Sequence, residues 1–523
     1  MLQIKDPDIR KSFVLLATVS ALARAFLAAT LEFGNDEVYY WTFAVYPDLS
    51  HFDHPPMVGW IIQLFSLNLI MESELFIRLG SVIFGIINLG LIFLIGREVR
   101  DERTGLFAAL LYTASIYATV ITGVFILPDT PQNLFWLLGL WLFFRAFNET
   151  YSDKLRRNAL FLALVMGGFS ILSKYTGVFL IFGGVVYILS YQQIWLRRKE
   201  LYLGLLAAAM IITPILFWNI ENDFISFTYQ GARVDVSHGG LRPDYFATEV
   251  LGQILYNNPV NVVLIVMAFF ALRRNKYIDS NQCWLLLFTS LPMIGVFLTF
   301  ALFRQTLPHW TGPSYHSLMI LAAAWLASKY PESRFPAPLK WAVGICSFVV
   351  VLGFVQIKTG LIPFPKETES RKLGKSDPTL DMYGWRQLGD EFKQLAATDT
   401  VTRLMKPNSP IFSYRWFPAA NLDYYVAWPS QRFVYAFGSL EKIHKYLWID
   451  YALGIPADSS DAYFITSSRD FYDPYQLYGK AFERILPPDS IAIRRGDDTV
   501  MFHYVYRMKG LRVKELPFPN MTR

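Results

Sequence analysis

Apolar runs of bilayer length recur along this chain, and they limit what it can fold into more than any other feature. A membrane-crossing helix needs roughly 20 residues, and about eleven runs meet that requirement. They are 12–31, 76–96, 104–123, 130–147, 158–173, 175–191, 200–219, 250–272, 283–303, 311–328 and 338–358. Composition agrees: 53% of residues are hydrophobic and 17% charged, too apolar for a soluble protein. The expected fold class is a polytopic α-helical membrane protein. The net charge of +6 suits basic cytoplasmic loops and points to no nucleic-acid partner. Both cysteines, Cys283 and Cys346, lie inside apolar runs, so there is no disulfide framework and no CxxC metal site. Lys5, Arg10 and Lys11 precede the first run, and Ala21-Leu22-Ala23 could pass for a cleavage site. The run resumes after Arg24 and reaches Leu31, which predicts an uncleaved first span.

Basic residues cluster at alternate exits. Arg97, Arg100 and Arg103 follow the second run; Arg145, Lys154, Arg156 and Arg157 the fourth; Arg197, Arg198 and Lys199 the sixth; Arg273, Arg274 and Lys276 the eighth; Lys329 and Arg334 the tenth. The positive-inside rule puts these exits and the N-terminus in the cytoplasm. The remaining loops are then outside: 32–75, 124–129, the corner at Lys174, 220–249, 304–310 and everything after about 359. This parity gathers Asp36, Glu37, Asp53, His54, Arg78, Asp129, Lys174, Arg304 and His309 on one side of the membrane. Met57 to Met71 is short for a span and would break the parity if it crossed, so it reads as a helix in the outer interface.

From about Ile362 charged and polar residues return. Asp377 to Leu395 reads as a turn followed by an amphipathic helix, 410–414 and 462–466 as strands, and 491–508 as two strands around Arg495-Gly496-Asp497-Asp498. The expected organisation is a transmembrane domain over 1–360, whose first outer loop is 32–75, and a C-terminal extracytoplasmic α/β domain over 361–523.

The first outer loop concentrates Asp36, Glu37, Asp48, His51, Asp53 and His54 among Tyr39, Tyr40 and Trp41. Such density at a membrane edge marks a candidate site, set against an interfacial aromatic belt with solvated acids. Neighbouring residues do not share a helix face, so at most one of Asp36 and Glu37 points into a site, where it could serve as a base; the plainer role is an N-cap, with Asn35 or Asp36 capping the helix that carries Tyr39, Tyr40 and Trp41. Asp129, in Leu-Pro-Asp-Thr-Pro, is either a helix cap or a second carboxylate of the site. Lys174 interrupts two apolar stretches, and a lysine there must snorkel or be paired; a phosphate or Asp129 would suit it. Arg78 and Arg304 can grip phosphate in bidentate fashion or anchor to headgroups. Asp53, His54 and His309, with His51, could hold a divalent metal ion, although their spacing is not a zinc signature, and His54 before two prolines could simply fix the loop.

Taken together, Asn-Asp-Glu-Val-Tyr-Tyr-Trp (35–41), His-Phe-Asp-His-Pro-Pro (51–56), Arg78-Leu79-Gly80, Leu-Pro-Asp129, Ser-Lys174-Tyr-Thr-Gly and Leu-Pro-His309-Trp-Thr-Gly-Pro resemble bacterial polyprenyl-phosphate-sugar-dependent glycosyltransferases. This is the protein mannosyltransferase and lipid A aminoarabinose transferase-like group, with the GT-C fold. The resemblance covers about 10–330; Tyr383-Gly384-Trp385 and 414–425 resemble the family's extracytoplasmic tail more loosely. It implies an inverting transfer, in which a polyprenyl phosphate leaves as an envelope acceptor (lipid A, another glycolipid or a secreted protein) attacks the anomeric carbon. It further implies a place in the bacterial inner membrane. By resemblance Asp36 matches the acid near the reacting centre, Glu37 its neighbour and Asp129 the second acid. Lys174, Arg78, Arg304 and His54 are implied around the donor phosphate, with Arg304 resting on no matching motif. Asp53-His54 matches an acidic–basic pair near the donor phosphate or a metal; the aminoarabinose transferases carry a lysine where this chain has His54, so the sugar need not be aminoarabinose. The rival expectation is a transporter or flippase of a lipid-linked sugar, which would need polar groups along a path through the membrane.

Overall fold

The computed structural model describes residues 3–236, 240–274, 276–331 and 334–517. The chain divides into two compact units: Met1–Thr30 with Pro47–Val350, and Leu31–Tyr46 with Val351–Arg523.

The first unit is helical, and each of the eleven expected runs is largely helix. Among the described residues six helices of the chain are long and apolar enough to cross a membrane: Pro7–Thr30, Leu79–Val99, Asp153–Ser173, Lys199–Glu221, Ser280–Ala301 and Ala337–Thr359. A seventh crossing is available if Pro243–Asn257 and Pro259–Leu272 form one span, bent by 98° at the break. The chain is a multi-pass membrane protein. The runs that fall short do so for physical reasons. Run 104–123 is a helix only over Glu102–Thr113, then a break and a wide turn at Tyr117–Ile121. Run 311–328 is helix Gly312–Lys329, in which every residue from 312 to 327 is buried. A helix enclosed by other helices can carry polar groups such as Ser314, His316 and Ser317, so hydropathy alone undercounts it. The expected interfacial helix covers only Met57–Phe65, burying Met57, Val58, Ile61 and Ile62. It is followed by Leu67, Asn68 and Leu69 with φ of 53°, 55° and 64°, a left-handed turn no helix can pass through.

The second unit is built on a six-stranded sheet. Its strands are β1 (Ile411–Ser413), β2 (Val434–Ala436), β3 (Ala462–Ser467), β4 (Phe482–Ile485), β5 (Asp489–Arg495) and β6 (Asp498–Leu511). Strands β2, β1 and β3 are parallel; β6 runs antiparallel to β3 along one edge and to β5 and β4 along the other. The amphipathic helix Trp385–Val401 buries Trp385, Leu388, Phe392, Ala396 and Asp399, a three-to-four-residue spacing that turns one face to the sheet. Asp399 ties it there, accepting from Arg507 Nε at 2.6 Å and from the Tyr463 hydroxyl at 3.0 Å.

Leu31–Tyr46 belongs to this second unit. Phe33 and Trp41 lie edge-on to Tyr424, at 4.9 and 5.2 Å between ring centroids, and Tyr39 lies 5.1 Å from Trp416. Lys445 Nζ donates to the carbonyls of Thr42 (3.0 Å) and Tyr46 (2.6 Å), satisfying the C-terminal end of helix Asn35–Val45.

Candidate active site

Two corners of the first unit build its polar centre. Asp129 is the first residue of helix Asp129–Phe147, where exposed N–H groups and the helix dipole favour a carboxylate. Lys174 ends helix Asp153–Ser173 and is fully extended (φ −156°, ψ 136°) before the tight turn Tyr175–Gly177. Gly177 allows that corner: a Cβ there would stand 2.3 Å from the Ser170 carbonyl carbon. The two corners meet in a buried ion pair, Lys174 Nζ to Asp129 Oδ2 at 2.7 Å. The Tyr117 hydroxyl donates to the other carboxylate oxygen at 3.3 Å.

The segment carrying His51, Asp53 and His54 is fastened beside this pair. Trp218 Nε1 donates to Asp48 Oδ2 at 2.8 Å, the Ser226 hydroxyl to the His51 carbonyl at 2.9 Å, and Gln230 Nε2 to the Asp53 carbonyl at 2.5 Å. His54 and Lys174 then share the wall of a cavity of about 360 Å³ with Tyr175, Arg233, Phe297 and Trp310. Burial pushes the His54 imidazole down to about 4, with Lys174 and Arg233 adding to the effect and Asp53 and Asp129 opposing it. Burial likewise lowers His309 to about 4, against Asp129 and together with Lys174 and Arg233. His54, His309, Asp129, Lys174 and Arg233 therefore form one electrostatic neighbourhood in which both imidazoles are neutral at pH 7. A cavity with two cations at its wall and apolar rings around them can accept a phosphate whose substituent is greasy.

Arg78 and Arg304 lie in the same unit but off this cavity wall. Arg78 is fully buried, donates to the Ala28 carbonyl at 3.1 Å and lies 5.8 Å from the Phe125 ring; it is not part of this cavity wall. Arg304 donates from Nε to the Asp235 carbonyl at 2.6 Å and lines a separate cleft. Asp36 and Glu37 are in the second unit, in the first turn of helix Asn35–Val45. The capping expected of Asn35 or Asp36 is done by Glu37, whose carboxylate accepts the Gly34 N–H at 3.0 Å. Among the described residues no three His, Cys, Asp or Glu side chains, Asp53, His54 and His309 included, converge into a group that could hold a metal ion. Arg233 and Tyr117 were not anticipated. Arg233 lies four residues beyond Tyr229 on helix Ile225–Val234, and a cation at that spacing from an aromatic in an outer loop was the only signal.

Residues 53–218 match the family model described as dolichyl-phosphate-mannose-protein mannosyltransferase. The chain is 24% identical over 361 residues to the lipid A galacturonosyltransferase RgtD of Rhizobium johnstonii, covering 66% of this chain and 71% of that protein. ArnT from Cupriavidus metallidurans in the apo state superposes with a TM-score of 0.63 over 94% of this chain and 97% of ArnT, at 14% identity. The same enzyme bound to undecaprenyl phosphate gives 0.62 over the same shares and at the same identity. The chain is a multi-pass membrane protein with the fold of ArnT, the GT-C fold. It is similar in sequence to the mannosyltransferase family model and to RgtD, and in fold to ArnT.

Proposed function

We propose that this protein moves a sugar from a polyprenyl-phosphate donor to an envelope acceptor of the lipid A type, at the outer face of a bacterial inner membrane, with its N-terminus in the cytoplasm. The observation that carries the reading is the buried Lys174–Asp129 pair, whose lysine lines a cavity shared with Arg233 and a neutral His54. The galacturonosyltransferase relative and the undecaprenyl-phosphate-bound ArnT structure support the donor and acceptor classes.

In the proposed transfer a lone pair of the acceptor oxygen forms the new bond to the anomeric carbon. The bond from that carbon to the donor phosphate oxygen breaks, and the leaving lipid phosphate keeps the electron pair. A phosphodiester becomes a monoester and gains negative charge, which Lys174 and Arg233 stabilise from fixed positions in a partly dry cavity. Asp129 holds the Lys174 ammonium in place through its 2.7 Å contact. Attack from the face opposite the leaving group inverts the anomeric configuration. A hydroxyl acceptor must also lose its proton, which is the role proposed for Asp36; a phosphate acceptor needs no base. Arg78 acts through packing of the helical unit. No step is routed through a metal.

The test is transfer of labelled sugar from undecaprenyl-phosphate galacturonic acid and related donors to lipid A by the purified chain. Asp36→Asn should lower kcat by about 100-fold with a hydroxyl acceptor. Transfer at the wild-type rate would remove Asp36 from the chemistry.

A further inference from the structure

Beside the donor cavity the first unit carries a second cleft of about 540 Å³, of which the transfer mechanism uses only Arg233. Arg233, Arg242, Arg304, Tyr245 and Gln305 line it, and no carboxylate does among the described residues. The three guanidinium groups are not equivalent. Arg242 is neutralised by Asp244 through two hydrogen bonds of 2.7 and 2.9 Å and lies over the Tyr245 ring at 3.7 Å. Arg304 is anchored by Nε alone, at 2.6 Å from the Asp235 carbonyl, and its two terminal nitrogens make no hydrogen bond among the described residues. Arg233 makes no ion pair among the described residues; its guanidinium lies over the Trp310 ring at 4.8 Å, and it lines both the cleft and the donor cavity. Two cations without carboxylate partners, facing one half-open polar space, repel each other until an anion lies between them.

We infer that this cleft binds the phosphate of an anionic glycolipid, which is the acceptor in the transferase reading above and depends on it for that role. The terminal nitrogens of Arg304 take the phosphate in bidentate fashion, and Arg233 faces it from the wall shared with the donor cavity. An acceptor held by its phosphate in this cleft lies next to the donor phosphate with Arg233 between the two anions, screening their repulsion. Arg304 is thereby assigned to the acceptor rather than to the donor. The cleft is mainly polar where the donor cavity is mainly apolar, the difference expected between a sugar-phosphate headgroup and a polyprenyl chain.

The test is direct binding of bisphosphorylated lipid A to the full-length protein in phosphatidylcholine nanodiscs. Dephosphorylated lipid A, phosphatidylglycerol and inorganic phosphate are the comparison probes. The wild type should bind the bisphosphorylated lipid at least about tenfold more tightly than any of the three, the worth of one charge-assisted contact. Arg304→Gln should remove that preference and Arg304→Lys keep part of it, while both variants bind undecaprenyl phosphate as the wild type does. Equal affinity for the dephosphorylated lipid overturns the inference. So does equal affinity for phosphatidylglycerol, which would mean a general headgroup anchor, or for inorganic phosphate, which would mean a free-anion site. A preference that persists in Arg304→Gln overturns it as well. A wild type that shows the preference yet transfers no sugar from any polyprenyl-phosphate donor would sink the transferase reading and leave the phosphate site standing.

Discussion

Asp129 in the helical unit and Asp423 in the sheet unit are both buried aspartates, and they are buried in opposite ways. Asp129 meets Lys174 at 2.7 Å and a tyrosine hydroxyl at 3.3 Å, so its negative charge has a counterpart. Asp423 has the Tyr446 hydroxyl at 3.1 Å, and burial pushes its carboxyl up to about 7. Burial also raises the nearby Asp450 well above the usual carboxylate range, against one hydrogen bond from the Ala436 N–H and with the Asp423 charge adding to the rise. A buried acid beside a fixed cation keeps its charge and can organise an anionic ligand through that cation; a buried acid beside neutral donors gives up its charge and serves packing. In the proposed transfer the first acid serves the chemistry, while the second serves packing.

The largest effect should come from breaking the charged case. Lys174→Met leaves Asp129 without its counter-ion, costing about 3–5 kcal/mol of stability, and kcat should fall by about 10²–10³-fold. The comparison fails if Asp423→Asn lowers transfer as much as Lys174→Met does.

Next is a pH dependence that only the neutral case should show. Asp423 rises from its ordinary 3.8 to about 7 on folding. Its stabilising contribution is complete below about 4, is lost progressively as pH climbs from there through 7, roughly 4 kcal/mol in all, and the curve is flat above that. Thermal unfolding at pH 5 and pH 8 should show Asp423→Asn gaining on the wild type at the higher pH. An equal difference at both values would contradict the assignment.

A smaller effect should follow from the corner that aims Lys174. The Cβ of Gly177→Ala would stand 2.3 Å from Ser170 backbone. The corner must shift, costing about 1–3 kcal/mol, and kcat should fall about tenfold while acceptor binding holds. Smallest is the contribution of His54. With its imidazole lowered to about 4 it stays neutral through the working range, so kcat/KM should show no inflection from it between pH 5.5 and 8. His54→Lys, which adds a cation to the donor cavity, should tighten undecaprenyl phosphate binding by up to about tenfold; weaker binding would mean that the imidazole makes a contact the charge cannot replace.

The sequence carried the helices and the strands well, because both are written in local periodicity. The eleven apolar runs are largely helix, and the strands expected at 410–414, 462–466 and 491–508 appear as β1, β3, β5 and β6. It also carried the key pair: an interrupted apolar run at Lys174 needs a partner, and Asp129 was one of two on offer. Less legible was anything decided by where a side chain turns after the backbone is placed. Arg78, Arg304 and Lys174 read alike as cations on one side of a membrane, and packing sends Arg78 into the helical core and Arg304 to a different cleft. Arg233 went unnoticed because its loop carries no motif. The packing of Leu31–Tyr46 with the C-terminal residues was invisible because aromatic faces from distant positions make it, while a linear reading attaches the segment to its neighbours.

The account rests on the buried Lys174–Asp129 pair as the place where the lipid phosphate departs. Its most direct test is the single-turnover rate of sugar release from labelled undecaprenyl-phosphate sugar, comparing wild type with Lys174→Gln at saturating donor. A fall of at least about 100-fold, with undecaprenyl phosphate binding weakened in parallel, is the predicted result. Release at the wild-type rate would contradict it.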